Sequence, residues 1–120
     1  MKAALVISHG SRSSKTKQEV AQLVTRLQKR SRVPIWEFAF LEIESPSIPE
    51  GIETCLKKGA DEVAILLNFL NSGKHVDEDI PRFIRQASKK YPGIRFHLSP
   101  PVGQHPKMAD LFLKMLTGQK

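Results

Sequence analysis

Apolar residues occur in two spacings along this chain, and the two alternate. Ala3–Ser8, Ile35–Leu41, Glu62–Asn68 and Ile94–Leu98 are short, nearly unbroken apolar runs, the pattern of strands covered on both faces. Between and after them lie stripes with helical spacing. These are Val20, Leu23, Val24 and Leu27; Ile48, Ile52, Cys55 and Leu56; Ile80, Phe83, Ile84 and Ala87; and Met108, Leu111, Phe112 and Met115. The punctuation agrees. Thr16 with Glu19, and Ser47 with Glu50, have the spacing of capping boxes. Lys57-Lys58-Gly59 is a helix stop. Asp77-Glu78-Asp79 ahead of Ile80-Pro81 reads as a helix start, Tyr91-Pro92-Gly93 as its end, and Pro100-Pro101 as a break after the fourth strand. The order β-α-β-α-β-α-β-α predicts an α/β fold: a single domain over 1–120, a four-stranded parallel sheet with helices on both faces, and right-handed crossovers.

At 120 residues there is room for one core and not two. The single cysteine, Cys55, excludes an intramolecular disulfide and a cysteine-based metal cluster. Its place on an apolar stripe makes it an inert core thiol, and scarce cysteine fits a reducing compartment. No apolar run exceeds five residues, so no membrane-spanning segment is expected. The first run stops at Ser8-His9-Gly10, too soon for a secretion signal. The expected location is the cytoplasm. Nineteen Lys and Arg against twelve Asp and Glu give a net charge of +7, a field that concentrates anionic partners. Nucleic acid is the weakest of these, because aromatic residues are only 7% and the basic residues are dispersed.

In open α/β sheets, ligands bind beyond the carboxyl ends of the strands. Strand one ends in Ser8-His9-Gly10-Ser11-Arg12 and strand two in Phe40-Leu41-Glu42. Strand three runs out through Asn68-Phe69-Leu70 to Gly73-Lys74-His75. Two imidazoles and a carboxylate therefore converge on one edge, a donor set suited to Co, Fe, Ni or Zn with coordination positions left open. Gly10-Ser11-Arg12-Ser13-Ser14 resembles a phosphate loop but lacks GxGxxG and GxxxxGK[ST]. Anion contact at a helix start, with Lys15 and Lys17 extending the basic edge, is the plainer role. His97 reads as a structural imidazole within strand four, and His105 as a surface or substrate-contact residue. Trp36 and the methionines of the last helix read as core or interface.

Three segments together resemble the sirohydrochlorin chelatases, the CbiX/SirB family of class II chelatases. They are Val6-Ile7-Ser8-His9-Gly10-Ser11-Arg12, Phe40-Leu41-Glu42 followed by Pro46-Ser47-Ile48, and Asn68-Phe69-Leu70 with Gly73-Lys74-His75 through Asp79-Ile80-Pro81. The resemblance spans residues 3–103. One departure is Asn68, where the family often has Pro. The resemblance implies insertion of a divalent metal (Co2+, Fe2+ or Ni2+) into sirohydrochlorin, in cobalamin or sirohaem biosynthesis. The metal is then a substrate, and no permanently bound cofactor is expected. His9, Glu42 and His75 match the family's metal-binding and catalytic positions. Ser11, Arg12, Lys15 and Lys74 are candidates for holding the carboxylates of the tetrapyrrole. The short form implies a homodimer whose halves face across a two-lobed cleft; the chain also matches one half of a longer form. A non-catalytic metal or tetrapyrrole carrier is the alternative from another class.

Overall fold

Each apolar run becomes a strand. In the computed structural model, which describes residues 1–118, β1 (Lys2–Ser8), β2 (Ile35–Phe40), β3 (Glu62–Leu67) and β4 (Arg95–Pro101) form one sheet in the order β2-β1-β3-β4. All three pairings are parallel. The last two positions of the domain expected over 1–120 lie outside the described residues. Helices α1 (Ser14–Arg30), α2 (Ile48–Lys57), α3 (Ile80–Lys90) and α4 (Met108–Leu116) alternate with the strands.

The strand pleat divides the interior into two layers. Ala3, Leu5 and Ile7 of β1, with Ile35, Ala39, Val63, Ile65 and Leu67, point to one face. There they meet Ile48, Ile52 and Cys55 of α2 and Ile80, Ile84 and Ala87 of α3. Ala4 and Val6 point the other way, the side on which α1 buries Val20 and Val24. As the central strand with both faces covered, β1 is buried from Ala3 to Ser8, which is why its sequence shows no alternation. The Ser47–Glu50 capping box forms as expected: Ser47 Oγ accepts from Glu50 N and Glu50 Oε1 accepts from Ser47 N. Gly59, with φ +104°, supplies the left-handed turn after α2.

Three expectations need correction. The first helix does not start from a Thr16–Glu19 box. It begins at Ser14 behind Ser13, which makes no side-chain cap, and Ser11 Oγ accepts from Ser13 N to shape the turn instead. The fourth strand is not broken by Pro100-Pro101 but runs through it to Pro101. It is an edge strand paired only to β3, so prolines that cannot donate leave no neighbour unsatisfied. The segment before the third helix is not simply an acidic cap, because His75–Asp79 forms a π-helical turn ahead of Ile80. His97 keeps its structural reading but sits on the exposed side of β4, where Nε2 pairs with Glu62 at 2.8 Å. Trp36 is half-buried and its Nε1 has no partner.

Helix α4 packs chiefly on the 102–104 turn, and the molecule has a long axis of 48 Å. Leu111, Phe112, Leu113, Met115 and Leu116 are all exposed. Among the described residues no helix is long and apolar enough to cross a membrane.

The Cys55 side chain is fully buried, and that burial pushes its thiol up to about 12, with the nearby Glu37 charge adding to the effect. A thiol that does not ionise is not a nucleophile. The folded protein should therefore fail to react with a disulfide reagent at pH 8 and should react fully in denaturant; stoichiometric labelling of the native state would contradict this packing.

Candidate metal centre

The backbone ladder between β1 and β2 does not stop at the last strand residue. Leu41 N donates to Ser8 O and Glu42 N donates to His9 O, at 2.9 and 3.1 Å. Glu42 is thereby locked beside His9. Gly10 makes this approach possible: its φ is +103°, and a Cβ there would overlap the carbonyl oxygen of Glu42. On the other side of β1, Asn68 N donates to Ile7 O and the Asn68 side chain donates to Ser8 Oγ at 2.9 Å. The Asn at this departure from the family pattern therefore ties the third strand end to the first.

The three side chains converge. His9, Glu42 and His75 each offer a donor atom, and these atoms lie within 4.8 Å of one another; among the described residues this is the one such cluster of His, Cys, Asp or Glu. His9 Nε2 is 2.7 Å from Glu42 Oε1, and His75 Nε2 is 4.0 Å from the same oxygen. The two rings stand 5.1 Å apart, centroid to centroid, tilted by 56°. The side chains are 44%, 50% and 44% exposed. An ion held by bonds of about 2.0–2.2 Å would draw His75 in and open the His9–Glu42 pair by small side-chain rotations, with its outward positions open.

The far sides of the rings are also engaged. His9 Nδ1 is 3.1 Å from Gly10 O. Glu42 Oε1, a carboxylate oxygen that only accepts, lies 2.7 Å from His9 Nε2. His75 Nδ1 lies 2.7 Å from Asp79 Oδ2. The other oxygen of Asp79 accepts from the Arg82 guanidinium at 3.2 Å. The hydrogen bond from His75 holds the Asp79 carboxyl below the usual carboxylate range, and the Arg82 charge adds to this. Asp79, only 14% exposed, was missed in the sequence because it looked like one of three acids capping a helix.

Ser11 donates its backbone N–H to Glu44 Oε1 at 2.8 Å and uses its hydroxyl to accept from Ser13 N. Arg12 and Lys15, at the start of α1, and Lys74, next to His75, are exposed, and among the described residues none of the three is in an ion pair. His105 is exposed and accepts from Lys107 N, a capping role within its own turn.

Comparison with known proteins points the same way. The family model CbiX matches residues 3–118. The sirohydrochlorin ferrochelatase of Bacillus subtilis is 36% identical over 101 residues, covering 84% of this chain and 39% of that protein. The sirohydrochlorin cobaltochelatase of Methanocaldococcus jannaschii is 31% identical over 84 residues, covering 70% of this chain and 59% of that protein. The structure of the sirohydrochlorin chelatase SirB from Bacillus subtilis subspecies spizizenii in complex with cobalt superimposes with a TM-score of 0.86 at 32% identity, over 97% of this chain and 50% of that one. The chain thus spans roughly two fifths to three fifths of the length of these relatives.

A metal ion that takes His9 Nε2 must break the contact with Glu42. His9→Ala should therefore weaken Co2+ binding by about 10-fold or more. Calorimetric titration with Co2+ measures this directly; undiminished binding would contradict His9 as a ligand.

Proposed function

This chain belongs to the CbiX family, and we propose that it is a sirohydrochlorin chelatase, which inserts cobalt or iron as the divalent ion into the macrocycle. One observation carries the reading: two imidazoles and a carboxylate meet on an open rim, close enough for a single ion. The named activities of the relatives supply the macrocycle and the two metals.

Insertion exchanges two pyrrole N–H protons for one divalent ion. His9 and His75 hold the ion through Nε2 after it sheds waters. As the pyrrole nitrogens take the metal, the imidazoles are freed to accept the departing protons. Glu42 offsets the charge of the ion on the way in and receives the His9 proton hydrogen bond again once the ion has left. A donor set this exposed suits an ion in transit, since a closed tetrahedral cage would retain it. Ser11, Arg12, Lys15 and Lys74 meet the substrate carboxylates, the three cations supplying the attracting charge. The setting is the cytoplasm.

The working unit of this reading is a homodimer. A flat macrocycle laid on one sheet edge has a wall on one side only, and a two-fold copy supplies the other. The exposed apolar side chains of α4 support the same assembly, because a contiguous apolar patch on a helix marks a surface that is covered by something.

Two experiments test this. An anaerobic insertion assay with Co2+, Fe2+ and Ni2+ in turn, followed by tetrapyrrole absorbance, should show turnover with the first two. His75→Ala should remain folded and lose roughly 10²- to 10⁴-fold in rate. Tight metal binding with no acceleration overturns the enzyme reading in favour of a carrier. Light scattering should give twice the chain mass, falling to the monomer in Phe112→Asp; a monomeric wild-type protein with full turnover refutes the dimer.

A further inference from the structure

The π-helical turn at His75–Asp79 is an unusual way to begin a helix. Ile80 N donates to His75 O, so the turn is one residue wider than an α-helical one. Within it, the side chains of its first and last residues meet: Asp79 Oδ2 lies 2.7 Å from His75 Nδ1. Asp79 is in turn held by Arg82, whose guanidinium donates to Oδ1 at 3.2 Å. The three residues form a line, Arg82 to Asp79 to His75, that ends on the ring facing Glu42 and His9.

We propose that Asp79 is the positioning residue of this site: it holds the proton of the His75 ring on Nδ1 and leaves the Nε2 lone pair aimed at the incoming metal, with Arg82 fixing which way the Asp79 carboxylate faces. A neutral imidazole carries one hydrogen, and the group bonded to one nitrogen decides which atom carries it. A carboxylate only accepts. Hydrogen-bonded to Nδ1, it therefore demands a hydrogen there and frees Nε2. Outer partners of this kind fix ring orientation at metal sites and raise the basicity of the ligand. The inference rests on the reading that His75 takes the metal through Nε2.

The arrangement makes an asymmetric prediction for one substitution. In Asp79→Asn the side chain keeps its shape but has one oxygen and one NH2. Arg82 has donors only, so it draws the amide oxygen to its own side. The NH2 then faces His75 Nδ1, which must become an acceptor, and the ring hydrogen moves to Nε2, where it blocks the metal. Removing the guanidinium as well, in Asp79→Asn with Arg82→Leu, frees the amide to turn its oxygen back towards Nδ1.

The test has two readouts on the full chain. Long-range 15N–1H correlation spectra of the neutral His75 ring, recorded without metal, report which nitrogen carries the hydrogen. Titration with Co2+ alone, followed by its d–d absorption, reports affinity. The wild type should carry the hydrogen on Nδ1. Asp79→Asn should move it to Nε2 and weaken Co2+ binding by about 10- to 100-fold, the usual cost of losing such a partner. The double variant should regain part of that affinity. A wild-type ring with its hydrogen on Nε2 overturns the proposal, whether or not any variant folds. So does an Asp79→Asn variant that binds Co2+ as the wild type does, or that binds weakly with the hydrogen still on Nδ1. A double variant no better than Asp79→Asn refutes the part assigned to Arg82. His75→Ala separates this proposal from the reading beneath it: undiminished Co2+ binding by that variant would show that the metal does not use His75 at all.

Discussion

Two backbone hydrogen bonds beyond the end of β1, from Leu41 N to Ser8 O and from Glu42 N to His9 O, are the constraint on which the site depends. They continue the parallel register past the point where the strands cease to be strands. A parallel ladder brings strand ends to one edge in order, but loops normally diverge there. Here the first two remain paired for one more step, and Asn68 N on Ile7 O does the same on the other side. The functional side chains thereby borrow the rigidity of the most deeply buried strand in the molecule, whose residues from Ala3 to Ser8 are all buried. Precise placement of a donor set needs such support, because small displacements are costly in chemistry.

The same constraint explains why the glycine at position 10 is a structural part of the site. His9 can lie against Glu42 only if the chain turns sharply immediately after it, and the carbonyl of Glu42 occupies the space that a side chain at position 10 would need. Catalytic side chains on loops are common; here the loop adjoining them is pinned by contact with the backbone of the facing loop. The acid at position 42 and the ring at position 9 are then held in a 2.7 Å contact, and a metal ion that takes His9 Nε2 must break it.

Much of this was legible in the sequence, and for a definite reason. The apolar runs of β1 and β3 and the stripes of α2 and α3 follow one period each, and burial enforces that period. Once the strands are placed, their carboxyl ends are placed, and with them His9, Glu42 and His75. What escaped was governed by contacts that periodicity does not encode. The prolines at 100 and 101 look like breakers until β4 is known to be an edge. Asp79 looks like one of three solvated acids until the segment before Ile80 is known to be helical from His75, where i,i+4 spacing sets it beside the ring. Glu62 and His97 are adjacent in the sheet but 35 positions apart in sequence, so a pairing across strands could not be seen from either alone.

Helix α4 poses the opposite problem, since its stripe was legible and its burial is missing. Nine residues are fewer than the ~12–15 that an isolated helix needs to be even marginally stable in water. Among the described residues its main platform is the 102–104 turn. Five large apolar side chains face solvent, and hydration of that surface opposes the ordered state. In the dimer proposed above, a second copy would remove this face from water. The sheet and the metal-binding rim do not share this dependence, because β1, β3, α2 and α3 complete their core without α4. The molecule thus joins a scaffold whose core is complete in one chain to a helix whose apolar face the proposed dimer would cover.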